Sequence, residues 1–184
     1  MIEFPVEGLS DGDVRLRLHA DEDIPAIVEA CQDPEIPRWT RVPDEYTEND
    51  ALEWFDHQDR RRGEGDALEL LIVEDETDAL LGSIGFVKLD HEERIGSLGY
   101  WLARDARGRG VATRALRLIS SWAFDALPVD RISIVIQQGN EPSRRLAERA
   151  GYTYEGILRS YTLIKGRRHD MAMYSLLREE ADTQ

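Results

Sequence analysis

Leu102-Ala103-Arg104-Asp105-Ala106-Arg107-Gly108-Arg109-Gly110-Val111-Ala112-Thr113 is the most informative stretch of this chain. It lies between two patterns of different period. Before it, Ile95–Ala103 alternates, with Leu98, Tyr100 and Leu102 on one face and Gly99, Trp101 and Ala103 on the other, as a strand does. After it, Val111–Leu127 carries Ala112, Ala115, Leu116, Ile119, Trp122, Ala123 and Phe124 at helical spacing, and Pro128 stops the run. The stretch therefore reads strand, loop, helix. Gly108 and Gly110 let the backbone approach a ligand and take positive φ. A helix start leaves amide N–H groups unpaired at the positive end of its dipole, which suits an anion. Arg107 and Arg109 add charge there and Thr113 a hydroxyl, so a pyrophosphate fits. A Gly-x-Gly alone is also what any tight turn uses, and the stretch is neither a dinucleotide fingerprint nor a P-loop: the third glycine and the Gly-Lys-Ser/Thr are both missing.

Outward from this loop the remaining elements follow from periodicity. Val14–Leu18 alternates apolar residues with Arg. Asp21 or Asp23 caps a helix with Pro25 in its first turn and Ile24, Ile27, Val28 and Cys31 on one face. Pro34–Pro43 reads as irregular and exposes Trp39. Thr47 opens a second helix that turns Leu52 and Phe55 inward. Strands are expected at Leu68–Glu74, Leu80–Val87 and Arg131–Gln137, the last a buried Ile-Ser-Ile-Val-Ile. Pro142–Ala150 forms a short helix ending at Gly151. Two final strands, Tyr152–Ile164 and Met171–Leu177, turn through Lys165-Gly166-Arg167. The order β-α-α-β-β-β-α-β-α-β-β describes an α/β (α+β) fold, a mixed sheet with helices on both faces.

With 184 residues the chain fits one domain, 1–184, with its core at about 10–178. No apolar run approaches the ~20 residues of a membrane helix, and Met1–Leu9 lacks the pattern of a signal peptide, so a cytoplasmic protein with no membrane partner is expected. Cys31 is the only cysteine, which rules out an internal disulfide and makes a metal cluster unexpected. A formal charge of −14 repels nucleic acid and attracts amines, although acidity also simply keeps a protein dissolved.

Arg107-x-x-Gly110-x-Ala112 resembles the Gln/Arg-x-x-Gly-x-Gly/Ala signature of the GNAT superfamily of N-acetyltransferases. Leu98-Gly99-Tyr100 is similar to the strand that precedes that loop. Asn140-Glu-Pro-Ser143, continuing to Glu148-Arg149-Ala-Gly151-Tyr152, resembles the family's Asn-x-x-Ser-x-x-x-x-Glu-Lys-x-Gly-Phe segment. Glu155-Gly156, Asp170-x-x-x-Tyr174 and the opening Val14–Leu18 with Asp23 extend the match over residues 10–178, with the Rim-type branch most alike. The resemblance implies a mostly antiparallel, splayed sheet and an enzyme that takes acetyl-CoA as donor. It implies an amine acceptor, either a small molecule or a peptide or protein N-terminus.

It also implies roles. Arg107, Gly108, Arg109, Gly110, Val111, Ala112 and Thr113 would hold the diphosphate. Strands Ile95–Ala103 and Arg131–Gln137 would part near Trp101, so that pantetheine pairs with Leu102 and a free N–H polarises the thioester. Asn140 would touch the pantetheine, or it is an N-cap; Ser143 would be the general acid, or a filler of the first turn. Ala147 stands where many members carry a catalytic tyrosine, and Ser97 where many carry the basic glutamate. No base is identified: Glu92, Glu93, Glu155 and Asp170 remain, and His91 and His169 read as surface residues. Trp39, Tyr100 and Tyr161 are the candidate acceptor contacts. The missing carboxylate and tyrosine leave a non-catalytic acyl-CoA-binding module as the alternative. A monomer or a homodimer is equally compatible.

Overall fold

The computed structural model describes residues 1–181; the end of the expected domain, 182–184, lies outside the described residues. In chain order the strands are β1 (Leu9–Ser10), β2 (Val14–Arg17), β3 (Leu68–Glu74), β4 (Leu80–Asp90), β5 (Ile95–Leu102), β6 (Arg131–Gln137), β7 (Thr153–Ile164) and β8 (Arg167–Leu177). The helices are α1 (Ile24–Cys31), α2 (Glu35–Trp39), α3 (Glu48–Glu64), α4 (Val111–Ala126), α5 (Glu141–Arg149) and α6 (Arg178–Ala181). All eight strands form one sheet in the order β1-β2-β3-β4-β5-β6-β8-β7. The β5–β6 pair is parallel, joined by the α4 crossover, and its neighbours are antiparallel.

Side-chain alternation gives each face of the sheet its own core. Leu68, Leu70, Ile72, Ile84, Phe86, Ile132, Ile134 and Ala172 pack on one face against Val111, Ala115, Leu116, Ile119 and Phe124 of α4. Leu71 and Val73 point to the other face and meet Ile24, Ile27, Tyr46, Ala51 and Phe55 of the α1–α3 layer. From Leu70 to Val73 β3 is buried on both faces, which is why that stretch reads as a continuous apolar run. α3 begins where the sequence places it: Thr47 accepts from the Asp50 amide, and the Asp50 carboxylate accepts from the Thr47 amide in return.

Four expectations need correction. Pro34–Pro43 contains helix α2, because Pro37 falls within its first turn, where no N–H is needed. Leu52 is turned outward, at 42% exposure, since Ala51 and Phe55 take the buried stripe of α3. A further short strand, β1, pairs with β2 at the sheet edge. Trp39 is half-buried rather than exposed.

Candidate active site

β5 and β6 pair in register only from Ile95↔Arg131 to Leu98↔Ile134. Beyond Leu98 the strands part, three residues earlier than Trp101. Ala103 donates to the Leu81 carbonyl at 2.9 Å, so by antiparallel alternation Trp101 and Gly99 direct their backbone groups at β4. Tyr100 and Leu102 direct theirs into the gap. The Leu102 carbonyl is taken by the Arg107 side chain, at 2.9 Å from Nη2, which leaves the two amides as donors there.

The loop then turns through a 3₁₀ segment, Arg104–Ala106, into α4. Gly108 and Gly110 have φ of +74° and +81°, and a Cβ at either would meet nothing within 4 Å. Such backbone is disfavoured for any side-chain-bearing residue by about 1–2 kcal/mol, and it faces open space. The first intrahelical bond runs from the Arg114 amide to the Gly110 carbonyl at 3.2 Å. The amides of Val111, Ala112 and Thr113 precede it and have no acceptor within the helix. These are anion donors at a dipole's positive end, so the residues fit a diphosphate.

The two arginines of the loop differ. Arg109 is exposed and only loosely paired with Glu74, at 3.4 Å. Arg107 is turned inward: its Nη1 lies 2.7 Å from the buried carboxylate of Asp33, beside Arg104. Burial alone would raise the Asp33 pKa, but hydrogen bonds from Arg104 and the Glu35 amide, with the charge of Arg107, hold it below the usual range. The expected contribution of Arg107 as a free positive charge is therefore corrected to that of a strut between loop and α1–α2 segment.

Asn140 is the N-cap of α5, accepting from the Ser143 amide at 3.3 Å. The Ser143 and Tyr100 hydroxyls lie 2.6 Å apart. Burial pushes the Tyr100 phenol up to about 12, so it is a neutral group near pH 7. Tyr100 thus sits on the α4–α5 side of the sheet, with Ser143. Ala147 is fully buried in the core of that side.

Across the sheet the gap is roofed by α2 and the β7–β8 hairpin. Trp39 lies 3.9 Å from where a Cβ on Gly139 would stand, at the end of β6. Arg38 stacks 4.7 Å over its ring, and its indole N–H donates to Glu35. Gln137 reaches the Arg38 carbonyl. At the hairpin tip, the Lys165 ammonium donates to the Pro37 carbonyl at 2.8 Å and to Asp44 at 2.7 Å. Tyr161 sits on a bulge of β7, 54% exposed. The Lys88 ammonium is held above its usual value by Asp90 first and by Tyr161 least, so Tyr161 is within electrostatic reach of β4.

Of the acids considered as base, Glu155 is bound by Arg131 and Ser175, which hold its pKa at about 2. Asp170 accepts from the Ser160 amide, and His91 engages the Gly65 carbonyl. Ser97 lies 3.3 Å from the Ser133 hydroxyl. Sequence reasoning passed over Glu69, whose carboxylate accepts from the Ser83 hydroxyl on the floor of the roofed face. Burial raises its pKa to about 7. A cavity of about 730 Å³ lies elsewhere, between Phe4, Trp122, His91 and Leu127. Its lining includes neither the amides at the start of α4 nor the parted ends of β5 and β6.

Comparison with known proteins agrees with this geometry. Residues 13–153 match the Acetyltransferase (GNAT) domain family. The chain is 30% identical over 159 residues to the uncharacterized N-acetyltransferase p20 of Bacillus licheniformis, covering 86% of this chain and 89% of that one. It is 38% identical over 102 residues to YdaF of Bacillus subtilis (strain 168), a protein named as a ribosomal N-acetyltransferase; that match spans just over half of each, 55% and 56%. Among solved structures, RimL, a ribosomal L7/L12 alpha-N-protein acetyltransferase in complex with coenzyme A, superposes with a TM-score of 0.82 at 19% identity. The superposition covers 92% of this chain and 96% of RimL.

Proposed function

The chain belongs to the GNAT acetyltransferases, acetyl-CoA-dependent N-acetyltransferases, and from that premise we propose that it acetylates the α-amine of a peptide or protein by direct attack in a ternary complex. The observation that carries the reading is the junction of three features: parted strands, free amides at the start of α4, and a roofed face opposite. The names of YdaF and RimL support a protein N-terminus as acceptor, and with it a cytoplasmic reaction. Residues 10–178 act as one catalytic domain in this reading.

Acetyl-CoA supplies an activated acyl carbon. The chain's part is to position it and to manage charge and protons. The amides of Val111–Thr113 hold the diphosphate, with Gly108, Arg109 and Gly110 shaping the approach. Tyr100 and Leu102 amides face the thioester, where fixed donors stabilise developing negative charge on oxygen. Holding donor and amine in one gap contributes up to ~7–11 kcal/mol through effective molarity. Ser143 protonates the departing sulfur. Tyr100, 2.6 Å behind it, supplies from the sheet the phenol that Ala147 lacks on α5, and passes its proton forward. Trp39 and Tyr161 border the acceptor's entrance.

Thiol release from acetyl-CoA with a panel of peptides bearing free N-terminal Ser, Ala or Met, and with small amines, tests this. Release with at least one peptide is expected. Thermal stabilisation by coenzyme A with no release above hydrolysis for any acceptor would instead favour the non-catalytic binding module, which the serine at 97 and the alanine at 147 recommend.

A further inference from the structure

The geometry points to Glu69 as the general base, taking the amine's proton through water held on the side-chain-free strip over Gly85 and Gly99. The inference rests on the acetyl-transfer reading above. Glu69, Gly85 and Gly99 stand side by side on β3, β4 and β5, as the pairings Glu69↔Gly85 and Gly85↔Gly99 require. All three belong to the roofed face, since their neighbours Leu70, Ile84, Phe86 and Leu98 fill the opposite core. A Cβ built on Gly85 would lie 2.6 Å from Glu69 Oε2, so the carboxylate rests directly over that glycine. Gly99 is the next residue across, and it is the first residue of β5 beyond the last pair with β6. A Cβ there would meet only Val87. Two adjacent strands thus lack side chains between one carboxylate and the gap. At about 4.8 Å per strand, water bridges the remaining distance.

The surroundings explain why this acid and no other suits the task. Among the described residues its one hydrogen-bond partner is the Ser83 hydroxyl, and burial raises its pKa to about 7, where a base can both accept and release a proton near neutrality. The cations of the elements packed on this face are engaged elsewhere. Arg61 of α3 donates to the Val87 carbonyl at 2.9 Å and Arg62 to the Ile2 carbonyl. Lys88 of β4 pairs with Asp90 at 2.8 Å. His19 stacks on Phe55 and faces Asp59. Arg17 of β2 is shared by Asp23 and Asp78. β5 offers only Ser97, Gly99 and Trp101. In the transfer, the nitrogen–carbon bond forms and the carbon–sulfur bond breaks. The nitrogen's proton goes through water to Glu69, and the sulfur takes one from Ser143.

Two measurements test this. Carboxyl ¹³C shifts of Glu-labelled protein, assigned with Glu69→Gln, read the group without any acceptor: a resonance with a midpoint near pH 7, absent from the variant, is expected. A Glu69 resonance titrating near pH 4.5 overturns the assignment. With a peptide that turns over, kcat of the wild type should rise with pH through a midpoint near 7 and level off above it. Glu69→Gln should lose 30-fold or more and the limb with it, Glu69→Asp should recover part, and KM for acetyl-CoA should stay within twofold. A variant within threefold of wild type with the same limb refutes the role. Failure of the wild type to bind coenzyme A would instead contradict the acetyl-transfer reading, which the shift titration does not depend on.

Discussion

The hydroxyls of Tyr100 and Ser143 lie 2.6 Å apart, linking β5 to the first turn of α5 beside the gap between β5 and β6. In the reaction proposed above, this pair is the proton donor to the thioester's sulfur, with a second donor behind it. Ser143→Ala should lower kcat about 10- to 100-fold, and Tyr100→Phe about 10-fold, at or below the low end of the ~100- to 10,000-fold that general acid catalysis usually contributes. KM for acetyl-CoA should change less than twofold in both. Steady-state kinetics check this; wild-type turnover in both variants would make the pair a structural link.

Gly110 has φ of +81° with open space around it, so a side chain there meets no atom of the protein. Gly110→Val is expected to cost about 1–2 kcal/mol of backbone strain, which the fold survives. The branched side chain would cover the amides of α4's first turn. Calorimetry should find coenzyme A affinity reduced 100-fold or more, with the far-ultraviolet spectrum unchanged.

Arg107 is a strut, and its loss should read as stability first. Asp33 is buried and receives both Arg107 and Arg104. Arg107→Ala leaves it half-satisfied, at about 1–3 kcal/mol. Denaturant midpoints should fall accordingly. Coenzyme A binding should weaken only modestly, since in the proposed reading the amides and not the guanidinium hold the diphosphate.

Much of this was legible in the chain. β3 and β6 carry the bounds expected of them, because each is a largely apolar run closed by turn residues, and the start of α3 was written in Thr47. The alternation Leu98/Tyr100/Leu102 against Gly99/Trp101 gave the two faces of β5. It could not say which face lies over α5, so the pairing of Tyr100 with Ser143 was not legible. Pro34 and Pro37 read as breakers because tolerance at a helix's first turn depends on where the helix begins. Arg107 read as a free charge because its partner Asp33 is far upstream. Glu69 read as the polar member of a strand; the groups that set its character, Ser83 and Gly85, lie on the neighbouring strand and are invisible to local pattern.

Glu155 accepts from Arg131 at 2.7 and 2.6 Å and from Ser175, tying β7 to β6 and β8. Its pKa falls from 4.5 to about 2. A carboxyl depressed on folding stabilises the protein above its ordinary value and loses that contribution as pH falls toward 2. The side chain is 38% exposed, so the pair contributes about 1 kcal/mol after solvent screening. Glu155→Gln should therefore lower the denaturant midpoint at pH 7, and the difference should shrink steadily between pH 4.5 and 2.

The most direct test is an amide ¹H–¹⁵N titration of the intact chain with coenzyme A. The largest shifts should fall on Gly110, Val111, Ala112 and Thr113, followed by Tyr100 and Leu102. Saturation with those amides unmoved, or shifts confined to the cavity around Phe4 and Trp122, would contradict the account.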